Sequence, residues 1–144
     1  MDEIEKAVEC FNQGFRCSQA ILSTYGVRYD LDSKMALKLA SPFGAGIGSS
    51  GQICGAISGA IMVLGLHYGN DKVSQIKKKE KAYSVTREFI SEFKSNYKTV
   101  QCKELLNCDL STIEGRTRAI KEGLFRNLCP KFVRSACQIL EKFL

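Results

Sequence analysis

Residues 39–70 read LASPFGAGIGSSGQICGAISGAIMVLGLHYGN, a run with no Asp, Glu, Lys or Arg in a chain that is 25% charged overall. Its first part is a glycine loop with Gly44, Gly46, Gly48 and Gly51. Its second part is apolar and places Gly51, Gly55 and Gly59 four residues apart, a spacing that gathers them on one helical face. A face without side chains lets another backbone come close. The run predicts a glycine-lined central helix over about residues 51–68, with Cys54 in its first turn. A thiol there meets unpaired N–H groups and the positive end of the helix dipole, both of which favour the thiolate. The plainer alternative is a small cysteine that fills space in the core.

The remaining elements follow from spacing and caps. Ile4, Ala7, Val8 and Phe11 share a helical face, so the chain opens with an amphipathic helix that ends near Gly14. A second, short helix starts around Phe15–Cys17 and stops at Tyr25–Gly26, where glycine suits a C-terminal cap. Asp30 to Ser33 supply the N-cap of a third helix with Met35, Leu39 and Ala36 inward, closed by Ser41–Pro42. After the glycine helix, Asn70–Asp71 cap a long helix to about Tyr97, carrying Val73, Ile76, Tyr83, Ile90, Phe93 and Tyr97 at 3–4 spacing. A helical turn near Cys102, a loop or weak helix over residues 111–123, and a last helix starting at Cys129–Pro130 complete the reading. Nothing alternates with period two. The expectation is an all-α fold: one domain over residues 1–144, a compact bundle of about five to six helices around the glycine helix.

Charge and composition narrow the function. The net charge is +6, with Lys77, Lys78, Lys79 and Lys81 bunched together. No aromatic residues interleave this run, so it reads as a solvated helix face and nucleic acid is not an expected partner. Only Ile53 to Leu66 sustains apolar character, which suits a buried core helix better than a membrane span. The acidic, amphipathic start Met1-Asp2-Glu3-Ile4-Glu5 is not a secretory signal. Together with an odd count of seven cysteines, it points to a reducing, cytoplasmic setting, where clustered thiols serve metals or redox chemistry more than structural bridges.

Several motifs fail on context. Gly46-Ile47-Gly48-Ser49-Ser50-Gly51 matches the dinucleotide fingerprint as a string, but a helix rather than a strand precedes it. His67, the single histidine, lies near the far end of the helix from Cys54 and reads as a polar helix-end residue. No C-x-x-C or haem-attachment spacing is present. What remains is a set of cysteines at predicted helix starts: Cys17, Cys54 and Cys129, with Cys102 opening its own turn. Helix N-termini converging on one point create a positive field suited to thiolates, and so to a metal or cluster.

Cys54-Gly55-Ala56-Ile57-Ser58-Gly59 forms a CGAxxG box. A Cys-Ser-Gln-Ala element lies upstream at Cys17 to Ala20, a Cys-x-x-Leu element downstream at Cys102 to Leu105, and Cys129 follows. In this order the chain resembles the C_GCAxxG_C_C family of redox-active proteins over nearly its whole length, from about Phe15. The resemblance implies that Cys17, Cys54, Cys102 and Cys129 are the functional set. Two positions depart from the family pattern: Cys108 stands where glycine is usual, and Cys137 where alanine is. Cys108 therefore remains an alternative to Cys102. Cys10 and Cys137 read as core fillers.

Three functions follow. The first is a four-thiolate site for an iron–sulfur cluster, [2Fe–2S] in particular, or for zinc, used in electron transfer or redox sensing with an unnamed partner. The second is a metal-free dithiol protein in which Cys54 is the reactive, catalytic thiol. The third is an assembly subunit whose glycine helix packs on a partner helix, a homodimer being one form.

Overall fold

Asp2 starts the first helix: its carboxylate accepts the Glu5 N–H at 2.9 Å, satisfying one donor that a helix start leaves unpaired. Helix α1 (Glu3–Asn12) then turns Ala7, Val8 and Phe11 inward, as their spacing predicts. The computed structural model describes residues 1–144. It continues with α2 (Cys17–Tyr25), α3 (Ser33–Ala40), α4 (Gly55–Tyr68), α5 (Ile76–Tyr97), α6 (Cys102–Leu105), α7 (Ile113–Lys121) and α8 (Leu124–Glu141). Short 3-10 turns follow α2 and α3. There is no strand, and the only extended pairing is an isolated bridge between Ile53 and Gln101.

The chain is all-helical, but its eight helices exceed the expected five to six. Part of the excess is α7, in the segment expected to be a loop or weak helix. Thr112 caps it by accepting the Gly115 N–H at 3.0 Å, and Ala119 anchors it in the core. The start of the last helix also moves. It begins at Leu124, behind Gly123 with φ +65°, so Pro130 lies inside it. Proline prefers the first turn. Here it forfeits one bond, to the Arg126 carbonyl, while Phe132, Val133, Ala136, Cys137, Ile139 and Leu140 bury a long apolar face. Tertiary packing overrides the local signal.

Helix faces shift as well. In α3 the buried residues are Ala36 and Ala40, whereas Met35 and Leu39 are 57% and 55% exposed. The alanine face is what lets α3 lie close against α2. Helix α5 starts at Ile76 rather than at an Asn70–Asp71 cap, and it buries Val85, Phe89 and Phe93. Its first turns lie in solvent: Ile76 and Tyr83 are exposed, as is Val73 just before the helix, and so are Lys77, Lys78, Lys79 and Lys81.

Helix α4 is the centre of the bundle, packed on α2, α5 and α8. Ala56, Ile57, Ala60, Val63 and Leu64 are buried along it. No helix is long and apolar enough to cross a membrane. Cys54 is the N-cap of α4 rather than part of its first turn, and Gly51 falls in the preceding loop with φ +74°. The helical glycine face is therefore Gly55 and Gly59.

Candidate thiol site

Gly55 and Gly59 are occupied by the chain's own α2. A Cβ at Gly59 would lie 2.9 Å from the Ser18 carbonyl oxygen, and one at Gly55 3.1 Å from the Ser18 nitrogen and 3.3 Å from Cys17 Cβ. A side chain at Gly59 would displace the α2 backbone and one at Gly55 would press it back by a few tenths of an ångström, so the two glycines hold α2 close and set Cys17 beside Cys54. The Cys-Ser-Gln-Ala element fixes α2 there. The Ser18 hydroxyl donates to the Ala40 carbonyl at 2.9 Å. Gln19 accepts the Arg16 N–H at 2.9 Å and donates to the Leu37 carbonyl at 3.0 Å. The motif is a small residue, a buried tether and a cap in sequence.

Cys102 arrives through the glycine loop. Residues 45–49 run consecutively left-handed, with φ between 51° and 76°, a conformation that costs non-glycine residues roughly 1–2 kcal/mol each. Hydrogen bonds hold the loop, among them Gly48 N–H to the Pro42 carbonyl at 2.7 Å and Gln52 N–H to the Gly46 carbonyl at 2.8 Å. The following residues pair with the segment before α6. Cys54 N–H donates to the Val100 carbonyl at 2.8 Å, and Cys102 N–H to the Gln52 carbonyl at 2.6 Å. A Cβ on Gly46 would sit 2.8 Å from that of Cys102, so the loop backs directly onto this cysteine.

Cys17, Cys54, Cys102 and Cys129 line one cavity of about 20 Å³. All four are free and buried. Cys129 enters from the middle of α8 rather than from a helix start, so three of the four sit at helix heads. Ten of the twelve lining residues are hydrophobic, and none is a carboxylate or histidine. The other three cysteines lie elsewhere. Cys108 donates its thiol to the Gly115 carbonyl at 3.1 Å and does not line the cavity. Cys137 is buried in the core. Cys10 sits 3.9 Å from the Ser23 hydroxyl. His67 pairs with the Tyr29 hydroxyl at 2.7 Å, away from the thiols.

The thiols polarise one another. A hydrogen bond from Cys17 lowers the Cys54 pKa, against its burial, and the amides of Ala56 and Ile57 add to the effect. The amides are the helix-start stabilisation expected from the sequence, and they are the smaller contribution beside the Cys17 bond. Cys17 moves the opposite way, raised well above the ordinary thiol value by its neighbours Cys129 and Cys54 and by burial. Burial and the charges of Cys54 and Cys129 push Cys102 up to about 12, with Arg16 opposing. The cavity thus accommodates one negative sulfur readily, and further ones only with a compensating cation.

No three Cys, His, Asp or Glu side chains stand as an assembled metal-binding group. The donor chemistry nonetheless fits a soft metal: four sulfurs, no hard ligand, and apolar walls. The cavity volume matches about one water or one ion.

A family model described as "Putative redox-active protein (C_GCAxxG_C_C)" matches residues 15–143. The chain belongs to this family. The match takes in all four cavity cysteines and the helices that carry them. No curated protein matches the chain, and no solved structure does.

Two lining residues had no sequence signal. Arg16 lays its stem across Gly44, where a Cβ would come within 2.6 Å of Arg16 Cγ, and its guanidinium covers the Phe125 ring at 4.9 Å. Phe125 lies more than a hundred residues away in sequence, so only the fold brings the pair together.

Proposed function

We propose that this family member works in electron transfer or redox sensing through an iron–sulfur centre, [2Fe–2S] in first place, held by Cys17, Cys54, Cys102 and Cys129. Zinc is the other ion such an all-thiol set selects. The observation that carries this reading is that four cysteines from four separate helices or helix heads line one cavity. A dithiol exchange needs only two. An iron–sulfur centre held by these four cysteines would supply one-electron chemistry.

The chain's own residues prepare for that charge. The Ala56 and Ile57 amides favour the Cys54 thiolate, and Arg16 favours that of Cys102. The apolar lining excludes water, which strengthens each of these interactions. Cys17 and Cys102 hold their protons in the absence of a cation, so loading releases protons and tightens as pH rises. A cavity of about 20 Å³ takes one ion as it stands, while a cluster requires its walls to part. The reading places the protein in a reducing, cytoplasmic compartment with an electron-transfer partner.

Anaerobic purification followed by elemental analysis and a visible spectrum tests this. Iron or zinc is expected, lost on Cys17→Ser, Cys54→Ser, Cys102→Ser or Cys129→Ser and retained in Cys108→Ser. A colourless protein with neither metal would overturn it.

A second reading is favoured by the Cys17–Cys54 contact and the lowered pKa of Cys54, together with the unassembled metal geometry. In this metal-free reading the Cys54 thiolate attacks a substrate disulfide and releases one thiolate. Cys17 then resolves the mixed disulfide, so two substrate thiols leave and a Cys17–Cys54 disulfide remains. Peptide mapping after mild oxidation should find that disulfide; its absence excludes the reading.

A further inference from the structure

A second hollow of about 200 Å³ opens to solvent beside the thiol cavity, and Phe11, Arg16 and Phe125 line both. The Arg16–Phe125 contact is the partition between them: its stem packed on Gly44, its guanidinium over the ring. On the solvent side stand Phe15 and Arg126. The chain's ion pairs use Arg28, Arg118, Arg134 and Lys142, which leaves Arg16 and Arg126 without a carboxylate. Three phenylalanines and two unpaired guanidiniums thus face one open cleft, and no acidic residue lines it.

We infer that this cleft is the access site of the thiol centre and binds a small organic carboxylate with an apolar body, with the Arg16–Phe125 pair as its gate. The inference deepens the proposed redox function, since it names the chemical class that reaches the site. Guanidiniums receive a carboxylate in a bidentate manner, and aromatic side chains cover its apolar part. Two like charges beside low-dielectric walls raise the local concentration of anions. A neutral or cationic molecule gains nothing from them.

Paired alkylating probes test the cleft. The full-length chain, freed of metal by a chelator, reacts with iodoacetate or iodoacetamide at low ionic strength; in both cases the sulfur–carbon bond forms and iodide leaves. Peptide mass spectrometry reads the iodoacetate-to-iodoacetamide rate ratio at Cys54, with Cys10 as internal reference. The thiolate fraction of Cys54 cancels in that ratio, which leaves the effect of probe charge. The ratio at Cys54 should exceed that at Cys10 by about tenfold and fall roughly threefold in Arg126→Gln, further in Arg16→Gln, and with added salt. Phe125→Ala should speed both probes alike without moving the ratio. A Cys54 ratio equal to that of Cys10, or one unmoved by Arg126→Gln and Arg16→Gln, would overturn the inference. So would a Cys54 that neither probe reaches in wild type or Phe125→Ala. A purified protein without iron or zinc would defeat the metal reading and leave this ratio intact, so the two failures are distinguishable.

Discussion

Cys54 and Cys137 are both buried, and both belong to helices of one bundle. Around Cys54 stand three further thiols, the first amides of α4 and a cavity wall. Around Cys137 stand Tyr25, whose hydroxyl donates to Glu141 at 2.9 Å, and the packed residues of the core. The outcome is opposite: the Cys54 thiol is shifted down, while burial pushes Cys137 up to about 12. Burial alone does not set the character of a cysteine here. Both sulfurs have donors: Cys17 and the α4 amides outweigh burial at Cys54, whereas the single Tyr25 hydroxyl does not at Cys137.

The strongest way to break this contrast is to remove the close approach that creates it. Gly59→Leu forces a side chain into the Ser18 backbone and should cost about 3 kcal/mol or more in urea unfolding, as overpacking at a rigid contact does. Gly65, in the same helix, would place a Cβ where nothing lies within 4 Å. Gly65→Ala should therefore gain roughly 0.5–1 kcal/mol of helix propensity. Equal effects at the two glycines would mean that α2 is not held on the glycine face, and the thiol pairing would lose its cause.

Next in size is reactivity. In metal-free protein near neutral pH, iodoacetamide should label Cys54 about a hundredfold faster than Cys137, because the thiolate fraction falls tenfold per pKa unit and the greater intrinsic nucleophilicity of the higher-pKa thiolate offsets only part of that. Equal rates by peptide mass spectrometry would erase the contrast.

A smaller effect sharpens it through pH. Cys102 and Cys137 are raised in the folded chain, each to about 12. Their contribution to stability is fully present below the unfolded thiol value of about 8.5 and is lost as pH rises through the folded one. Above pH 9 the metal-free protein should lose stability with a slope of about 1.4 kcal/mol per pH unit from each such thiol. Cys137→Ala should flatten the slope. Cys54→Ala should flatten it as well, but only by the part of the Cys17 and Cys102 shifts that Cys54 supplies, since burial and Cys129 still hold both thiols up.

How far these features could be read in advance depends on whether their cause was local. The glycine spacing and the helix-start cysteine are local, so a close backbone approach at Gly55 and Gly59 and the amide donors near Cys54 were legible; that α2 makes the approach and brings Cys17 to Cys54 was not. Ordinary helix periodicity gave the all-α class. The start of α8 was not, because Pro130 carries the same local signal inside a helix as at its beginning, and only the apolar packing of Phe132 to Leu140 decides between them. The inward face of α3 was misjudged for a similar reason: bulk favours Met35 and Leu39, but closeness to α2 favours Ala36 and Ala40. The string Gly46 to Gly51 resembled a nucleotide motif, yet its glycines serve a left-handed loop that backs onto Cys102. The Arg16–Phe125 partition had no local trace at all.

The smallest expected effect separates chemistry from packing most cleanly. Cys54 is the N-cap of α4, and serine is among the best N-cap residues. Cys54→Ser should therefore change stability by no more than about 1 kcal/mol, and its hydroxyl can take over the amides of Ala56 and Ile57. Cys137→Ser instead places a more polar hydroxyl in a fully buried site beside Tyr25, at a cost of roughly 1–3 kcal/mol for burying a polar group. Urea unfolding of the two variants, both metal-free, makes the comparison directly. A Cys54→Ser protein that is as unstable as Cys137→Ser would show the sulfur to be a packing element. A stable Cys54→Ser protein that has lost metal or disulfide chemistry leaves only the redox role for this position.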